Sequence, residues 1–117
     1  MLRLLLKSKI HRATLTGTHL DYEGSIAIDS NLLKLADLLP YEQVHVLNVN
    51  NGSRLVTYVI EAEAGSGTVA LNGAAARAGV PGDLLIILAF AQVPDSEAPG
   101  WKARVVKVDA GNRPLSD

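Results

Sequence analysis

Val44-His45-Val46-Leu47-Asn48-Val49-Asn50-Asn51-Gly52-Ser53-Arg54-Leu55-Val56-Thr57-Tyr58-Val59-Ile60 is the stretch that decides the fold. Two runs rich in β-branched residues flank Asn50-Asn51-Gly52. Asn-Gly is a strong hairpin signal, because both central residues of the favoured turn need positive φ. Outward from this hairpin the same residue types recur. Leu2 to Lys9 is short and apolar-rich, and Ala13 to Leu20 alternates through Thr14, Thr16 and Thr18. Ile26-Ala27-Ile28 and Thr68 to Leu71 read as two further short strands. Leu84 to Ala91 is almost wholly apolar, which predicts a strand covered on both faces. Beyond Val93 the chain turns peripheral. Pro94 to Gly100 reads as an exposed loop, Arg104 to Val108 as an outer strand, and the last residues as frayed.

Helices are few. Asp29 or Ser30 can N-cap one, with Leu32, Leu35, Ala36 and Leu39 at the i, i+3, i+4, i+7 spacing of a buried stripe and Pro40 as its stop. Ala74 to Ala78 makes a short helical turn between Asn72-Gly73 and Gly79, and Pro81-Gly82 closes the loop after it. Many short strands punctuated by Gly and Asn, with only short helices, predict a mainly β chain: a small closed barrel with helical caps.

The 117 residues are 48% hydrophobic and 20% charged. That is enough for a single domain, which at this size buries roughly two-thirds of the surface its unfolded chain exposes. Eleven Lys+Arg against twelve Asp+Glu leave a formal charge of −1, which argues against a nucleic-acid partner, since phosphate binding needs surplus cations on one face. There is no Cys, so disulfides, thiolate nucleophiles and Cys-ligated metals are excluded. The apolar run within Met1 to Lys7 is too short for a signal peptide or a membrane span. A cytoplasmic setting with no membrane partner is expected.

Most single motifs have uneventful readings. Gly65-Ser66-Gly67 lacks the Lys-Ser/Thr and long helix of a phosphate loop and reads as a turn. Asn51-Gly52-Ser53 matches a glycosylation sequon but serves the hairpin. His11, His19 and His45 have no ligand-like spacing, so no metal is expected. No Ser sits in a strand-turn-helix elbow. Taken singly, Lys9 and Arg54 read as solvated charges, Tyr58 as an aromatic at the core edge, and Asn72-Gly73 as a turn. Gly24-Ser25 stands apart. Gly tolerates unusual backbone geometry and leaves its carbonyl open, and the next residue carries a hydroxyl able to reach that carbonyl.

Several segments acquire meaning together. Met1-Leu2-Arg3 and Lys7 to Ala13, then Asp21-Tyr22-Glu23-Gly24-Ser25-Ile26-Ala27-Ile28-Asp29, then Asn51 to Tyr58, then Val69-Ala70-Leu71-Asn72-Gly73-Ala74-Ala75-Ala76 and Pro81-Gly82-Asp83 follow in order. In that order they resemble the pyruvoyl-dependent aspartate 1-decarboxylase family, from Met1 to Val93. Two positions depart from the family pattern. Arg77 stands where His is frequent, and Ala64 where a basic residue is common before Gly-Ser. Neither is expected to touch the residues that carry the chemistry.

The resemblance implies a double-psi β-barrel and a homotetramer with active sites between neighbouring subunits. It implies decarboxylation of L-aspartate to β-alanine for pantothenate (coenzyme A) biosynthesis. Loss of CO2 from the α-carbon leaves an electron pair that no ordinary side chain accepts, so a cofactor must be the sink. By resemblance the cofactor is a covalently bound pyruvoyl group, with neither metal nor pyridoxal phosphate. It arises when Ser25 Oγ attacks the Gly24 carbonyl, with elimination and hydrolysis leaving residues 1–24 and a pyruvoyl-headed chain of residues 25–117. Thr57 assists this processing, with Tyr22, Glu23 and His11 as further candidates. Cleavage is either spontaneous or aided by a maturation factor.

The same resemblance makes position 25 the site of a Schiff base with the substrate amine. Tyr58 becomes the proton donor to the carbanion, a role suited to a phenol, which ordinarily keeps its proton at neutral pH. Arg54 offers a fork for a carboxylate and Lys9 a second positive charge, which together would select a diacid. Thr57, Asn72 and the backbone N–H groups of Gly73, Ala74 and Ala75 position the substrate. The rival reading is a non-catalytic double-psi barrel that serves as a binding module, because a fold alone does not establish function. The joint presence of Gly24, Ser25, Thr57 and Tyr58 favours the enzyme. A swapped-hairpin DNA-binding barrel would need a basic stripe that the charge balance does not supply.

Overall fold

The computed structural model describes residues 1–116; the final residue, where the expected larger fragment ends, lies outside them. β1 (Leu2–Thr14) is longer than the expected first strand. Two register shifts against β7 (Leu84–Pro94), at Leu6/Ser8 and Ile10/Ala13, absorb extra residues without ending the ladder. Arg12 takes φ +62° within the second. The alternating threonines therefore do not form one strand. After Leu15 and Thr16 only Gly17–His19 pairs, as β2. β3 (Ser25–Asp29), β4 (Gln43–Asn48), β5 (Arg54–Ala62), β6 (Val69–Asn72) and β8 (Arg104–Lys107) complete the strands. One helix, α1 (Ser30–Leu35), and two 3-10 segments, Gly73–Ala78 and Asp95–Glu97, join them.

The strands lie in the order β2-β6-β3-β5-β4-β7-β1-β8. The first and seventh members are nearly one piece of chain, separated only by Leu15 and Thr16. Leu15 N–H donates to Asp83 O and Thr16 N–H to Val69 O, each at 2.8 Å. The run that pairs with β7 thus turns and pairs with β6, so the sheet closes into a barrel. β8 stays outside the closure, parallel to β1. β2/β6 and β3/β5 are also parallel, so the chain crosses over itself instead of meandering. This is the small, mainly β barrel with short helices that the residue types predict.

Alternate residues of each strand fill the interior. Ile10, Ile26, Ile28, Val44, Val59, Leu85 and Ile87 are fully buried, each contributing about 1.5–3 kcal/mol by leaving water. β7 departs from expectation here. Leu85, Ile87 and Ala89 point inward, but Ile86, Leu88 and Phe90 are only half-buried. Its partners β1 and β4 are both antiparallel, and an antiparallel sheet can leave one face uncovered.

Other local expectations change for identifiable reasons. α1 stops before Pro40, because Asp37 turns left-handed (φ +56°). Leu38 N–H then reaches Leu33 O (2.9 Å) and Asp37 N–H reaches Lys34 O (3.2 Å), a Schellman closure. The buried stripe becomes Leu32, Leu33, Ala36 and Leu38, while Leu35 and Leu39 are exposed. The hairpin forms where predicted, yet only Gly52 has positive φ (+75°). Its loop is longer than two residues: Asn48 and Ser53 close it through Asn48 N–H to Ser53 O (2.9 Å). The Asn48 side chain accepts Asn50 N–H (2.8 Å) inside it. Nor does the tail fray through Leu115, whose N–H donates to Lys107 O (2.8 Å). Asn112 is buried, accepts Thr14 N–H (2.7 Å) and donates to Thr14 O and Gly67 O (both 2.8 Å). Among the described residues no helix is long and apolar enough to cross a membrane.

Asp29 joins three of these parts. Its buried carboxylate caps α1 at Asn31 N–H (2.9 Å) and accepts Gly65 N–H (3.1 Å) and Gly67 N–H (2.9 Å). The Gly-Ser-Gly turn is thus bound to a carboxylate rather than to a phosphate. Burial pushes the Asp29 carboxyl upward, but the N–H groups of Gly67, Asn31 and Gly65, with Arg113 nearby, outweigh it and hold it below its ordinary 3.8. A depressed folded value stabilises the fold above the ordinary value, and the stabilisation is lost as pH falls through the folded one. Asp29→Asn should cost about 2 kcal/mol in urea titrations at pH 7, since an amide N–H would face backbone donors. The gap to the unsubstituted protein should narrow as the pH drops below 3.8. A gap that is the same at acid pH would remove the charge from this account.

Candidate active site

The boundary between exposed loop and buried strand falls between Gly24 and Ser25. Residues 20–24 are all exposed, whereas Ser25 is 2% exposed and opens β3. Antiparallel pairing with β6 sets Ser25 opposite Asn72. The Ser25 hydroxyl donates to Glu23 O (3.1 Å) and accepts from Asn72 Nδ2 (3.2 Å). Asn72 is equally buried, and its Oδ1 has no partner among the described residues. Leaving such an acceptor unpaired costs about 1–3 kcal/mol, so the site carries an unmet demand for a donor next to Ser25.

Gly73 explains how the loop reaches this point. It sits at φ +64°, and a Cβ there would lie 2.6 Å from Gly24 N and 2.7 Å from both Gly24 Cα and Tyr22 O. Only a residue without a side chain lets the two backbones meet. Gly24 itself is not among the positive-φ residues, and a Cβ on it would meet nothing within 4 Å. The demand for a residue without a side chain, expected at Gly24, therefore falls on Gly73.

Beside Gly24 opens a cavity of about 490 Å³, walled by Thr57, Ala74, Ala75 and Arg77, with Leu55, Val56 and Ala78. The parallel β3/β5 register, Ile26 to Val59, carries Thr57 alongside Gly24. The opposite wall is the 3-10 helix Gly73–Ala78, anchored at its end. Ala78 O accepts from Asn51 Nδ2 (2.8 Å), Asn48 Nδ2 (3.1 Å) and Ser53 Oγ (3.1 Å). The hairpin loop thus pins the small-residue helix over β5.

Of the residues named from sequence, one chain brings together Gly24, Ser25, Thr57, Asn72, Gly73, Ala74 and Ala75. Of these, Gly24, Thr57, Ala74 and Ala75 line the cavity, and Tyr58, Arg54 and Lys9 lie apart from the group. Tyr58 lines an adjacent hollow with Tyr41, Gln43, Val56 and Thr57, its ring 6.1 Å from that of Tyr41. Arg54 is exposed at the start of β5, its Nη2 3.4 Å from His45 Nδ1. Lys9 sits on β1 between Leu88 of β7 and Val105 of β8. His11 belongs to a separate hollow with Arg12 and Lys107. Burial, and then Lys9, Arg12 and Lys107, hold its imidazole below the ordinary value.

Arg77 corrects an expectation. It lines the cavity that holds Gly24 and Thr57, although its position had not been expected to touch the chemistry. The signal was available: Ala74 and Arg77 stand three apart, and a 3-10 helix repeats every three residues. Tyr41, which packs beside Tyr58 from a loop seventeen positions earlier, had no such signal. No group of three or more His, Cys, Asp or Glu is placed to hold a metal among the described residues.

Comparison with known proteins identifies the family. The family described as "Aspartate decarboxylase" matches residues 1–115. Aspartate 1-decarboxylase of Albidiferax ferrireducens is 58% identical over 113 residues, covering 97% of this chain and 84% of that protein. Aspartate 1-decarboxylase 1 of Gloeobacter violaceus is 59% identical over 113 residues, 97% of this chain and 96% of that protein. The Thermoanaerobacter pseudethanolicus aspartate 1-decarboxylase is 53% identical over 116 residues, 99% of both chains. With more than half of its residues shared from end to end, on a closed β-barrel, the chain belongs to the aspartate decarboxylase family.

Proposed function

We propose that this chain converts L-aspartate to β-alanine and CO2, using a pyruvoyl group that it makes from its own Ser25 by breaking the bond to Gly24. One observation carries the reading: a buried, amide-bound Ser25 hydroxyl directly follows an exposed Gly24 in a cavity wall. The names of its close relatives support the substrate. The surroundings of position 25 fit the group. The Asn72 amide N–H that meets Oγ could donate to the ketone oxygen of such a group, and the unpaired Asn72 Oδ1 beside it would be left to accept from a substrate N–H.

Processing balances as follows. Ser25 Oγ turns from Glu23 O and attacks the Gly24 carbonyl carbon; the C–N bond breaks and an ester forms, leaving the Ser25 nitrogen as an amine. Removal of the Ser25 α-proton expels the Gly24 carboxylate and ends the short chain. The remaining enamine takes up one water and releases ammonia, which leaves the ketone. Thr57, beside Gly24, is suited to donate to the carbonyl oxygen while it carries charge.

When formed, the pyruvoyl group supplies the sink for the electron pair left by CO2. The chain's own residues do the rest. Arg54 and Lys9 receive carboxylates, and Asn72 with the N–H groups of Gly73, Ala74 and Ala75 orients the substrate. Tyr58 returns a proton to the α-carbon. Because Lys9 and Tyr58 lie outside the cavity wall of one chain, a homotetramer with active sites between neighbouring subunits would complete it. The half-buried apolar row Ile86, Leu88 and Phe90 on β7 suits such an assembly. The reading further implies a cytoplasmic enzyme serving pantothenate biosynthesis, processed alone or with a maturation factor.

Ser25→Ala should give one uncleaved, inactive chain by intact mass; two fragments would defeat the proposal. Tyr58→Phe should mature normally and lose about 100-fold or more in turnover, whereas undiminished turnover would take the proton from another group. Gly73→Ala should leave most of the chain uncleaved while circular dichroism stays that of a folded barrel. Cleavage at the unsubstituted rate would show that the Gly73–Gly24 contact does not shape the loop.

A further inference from the structure

The cavity beside Gly24 contains one charged side chain in its wall, Arg77. The remaining lining is small or apolar apart from Thr57, and no Asp or Glu contributes. Among the described residues Arg77 has no ion-pair partner. Arg77 is exposed, so its guanidinium is open to an incoming anion, with water screening part of the attraction. Its planar fork matches a carboxylate through two parallel N–H···O bonds.

The support beneath Arg77 is fixed. It precedes Ala78, whose carbonyl takes three donors from the hairpin loop. Ala74, three residues earlier, lines the same cavity, as the 3-10 repeat requires. The guanidinium is therefore carried on a pinned helix and not on a free loop.

We propose that Arg77 binds a carboxylate of the substrate in this cavity and sets the preference for a dicarboxylate over a monocarboxylate. The proposal deepens the reading of this cavity as the aspartate site and rests on it. Arg54 and Lys9, outside the wall of the same chain, then serve the other carboxylate, the one that a monocarboxylate also carries.

The test uses the mature protein with Arg77→Gln and Arg77→Lys, and two inert probes, succinate and butyrate, measured by calorimetry. Arg77→Gln should weaken succinate binding and raise the KM for L-aspartate roughly tenfold or more, with kcat and butyrate binding nearly unchanged. Arg77→Lys should recover part of the loss, since it keeps the charge but not the fork. Unchanged succinate affinity in Arg77→Gln overturns the proposal. An equal loss for succinate and butyrate also overturns it, because a distorted wall would not distinguish the two. Intact mass and aspartate turnover of the unsubstituted protein report separately on the pyruvoyl reading. If those fail, the succinate comparison still decides the role of Arg77.

Discussion

The barrel is shut by two residues. Thr16 does the work of a longer ladder at the seam: its N–H and hydroxyl both reach Val69 O, at 2.8 and 3.1 Å, and its Oγ1 accepts Val69 N–H at 2.9 Å. Leu15 completes the seam, giving its N–H to Asp83 O and accepting Gly82 N–H, both at 2.8 Å. The seam leads straight into β2, which covers the other side of β6; without that closure β6 would be an edge strand with a free row of backbone groups. β6 carries Asn72, and the Asn72 amide holds Ser25. The position of the Ser25 hydroxyl therefore depends on a backbone closure formed by residues nine and ten positions earlier in the chain.

A second set of polar contacts ties the seam to the cavity. Asn48 is buried and donates to Ala78 O and to Asp83 Oδ2 (2.9 Å), while its own oxygen accepts Asn50 and Asn51 N–H. The Asn48 amide, and then the Val80 N–H, hold the Asp83 carboxyl below its ordinary value against the upward push of burial. One amide thus joins the hairpin, the helix that walls the cavity and the loop that meets Leu15. Buried polar groups joined in this way fix a unique arrangement, since losing one leaves its partners without water or protein.

Much of the architecture was legible because it is written in local chemistry. β-branched runs around Asn-Gly announce β4 and β5, and Gly and Asn mark the ends of most strands. What escaped depends on groups distant in sequence or on side chains that compete with the backbone. Asn48 folds forward over its own loop and replaces the two-residue turn. Asp37 ends α1 early, so Leu39 never joins the stripe. Asn112 looks like any polar residue of a tail, and only the unpaired groups of Thr14 and Gly67 explain its burial. In the site, Gly24, Ser25, Thr57 and Asn72 to Ala75 lie close together. Lys9, Arg54 and Tyr58 stay outside the wall: Lys9 lies on β1, Arg54 is exposed at the start of β5, and Tyr58 lines a neighbouring hollow that shares Val56 and Thr57 with the cavity. The place of Arg77 in the family pattern says nothing of the cavity; the face of the 3-10 helix that it shares with Ala74 does.

The five residues between β2 and β3 take no part in any ladder, while β1 and β2, just before them, supply the closing side of the barrel. A nick in that connector would sever the backbone yet leave the first piece clasped by β7, β8 and β6. An intact chain refolds as one body; a nicked one must reassemble from two. Its midpoint of thermal melting would then rise with protein concentration, as it does for a dimer.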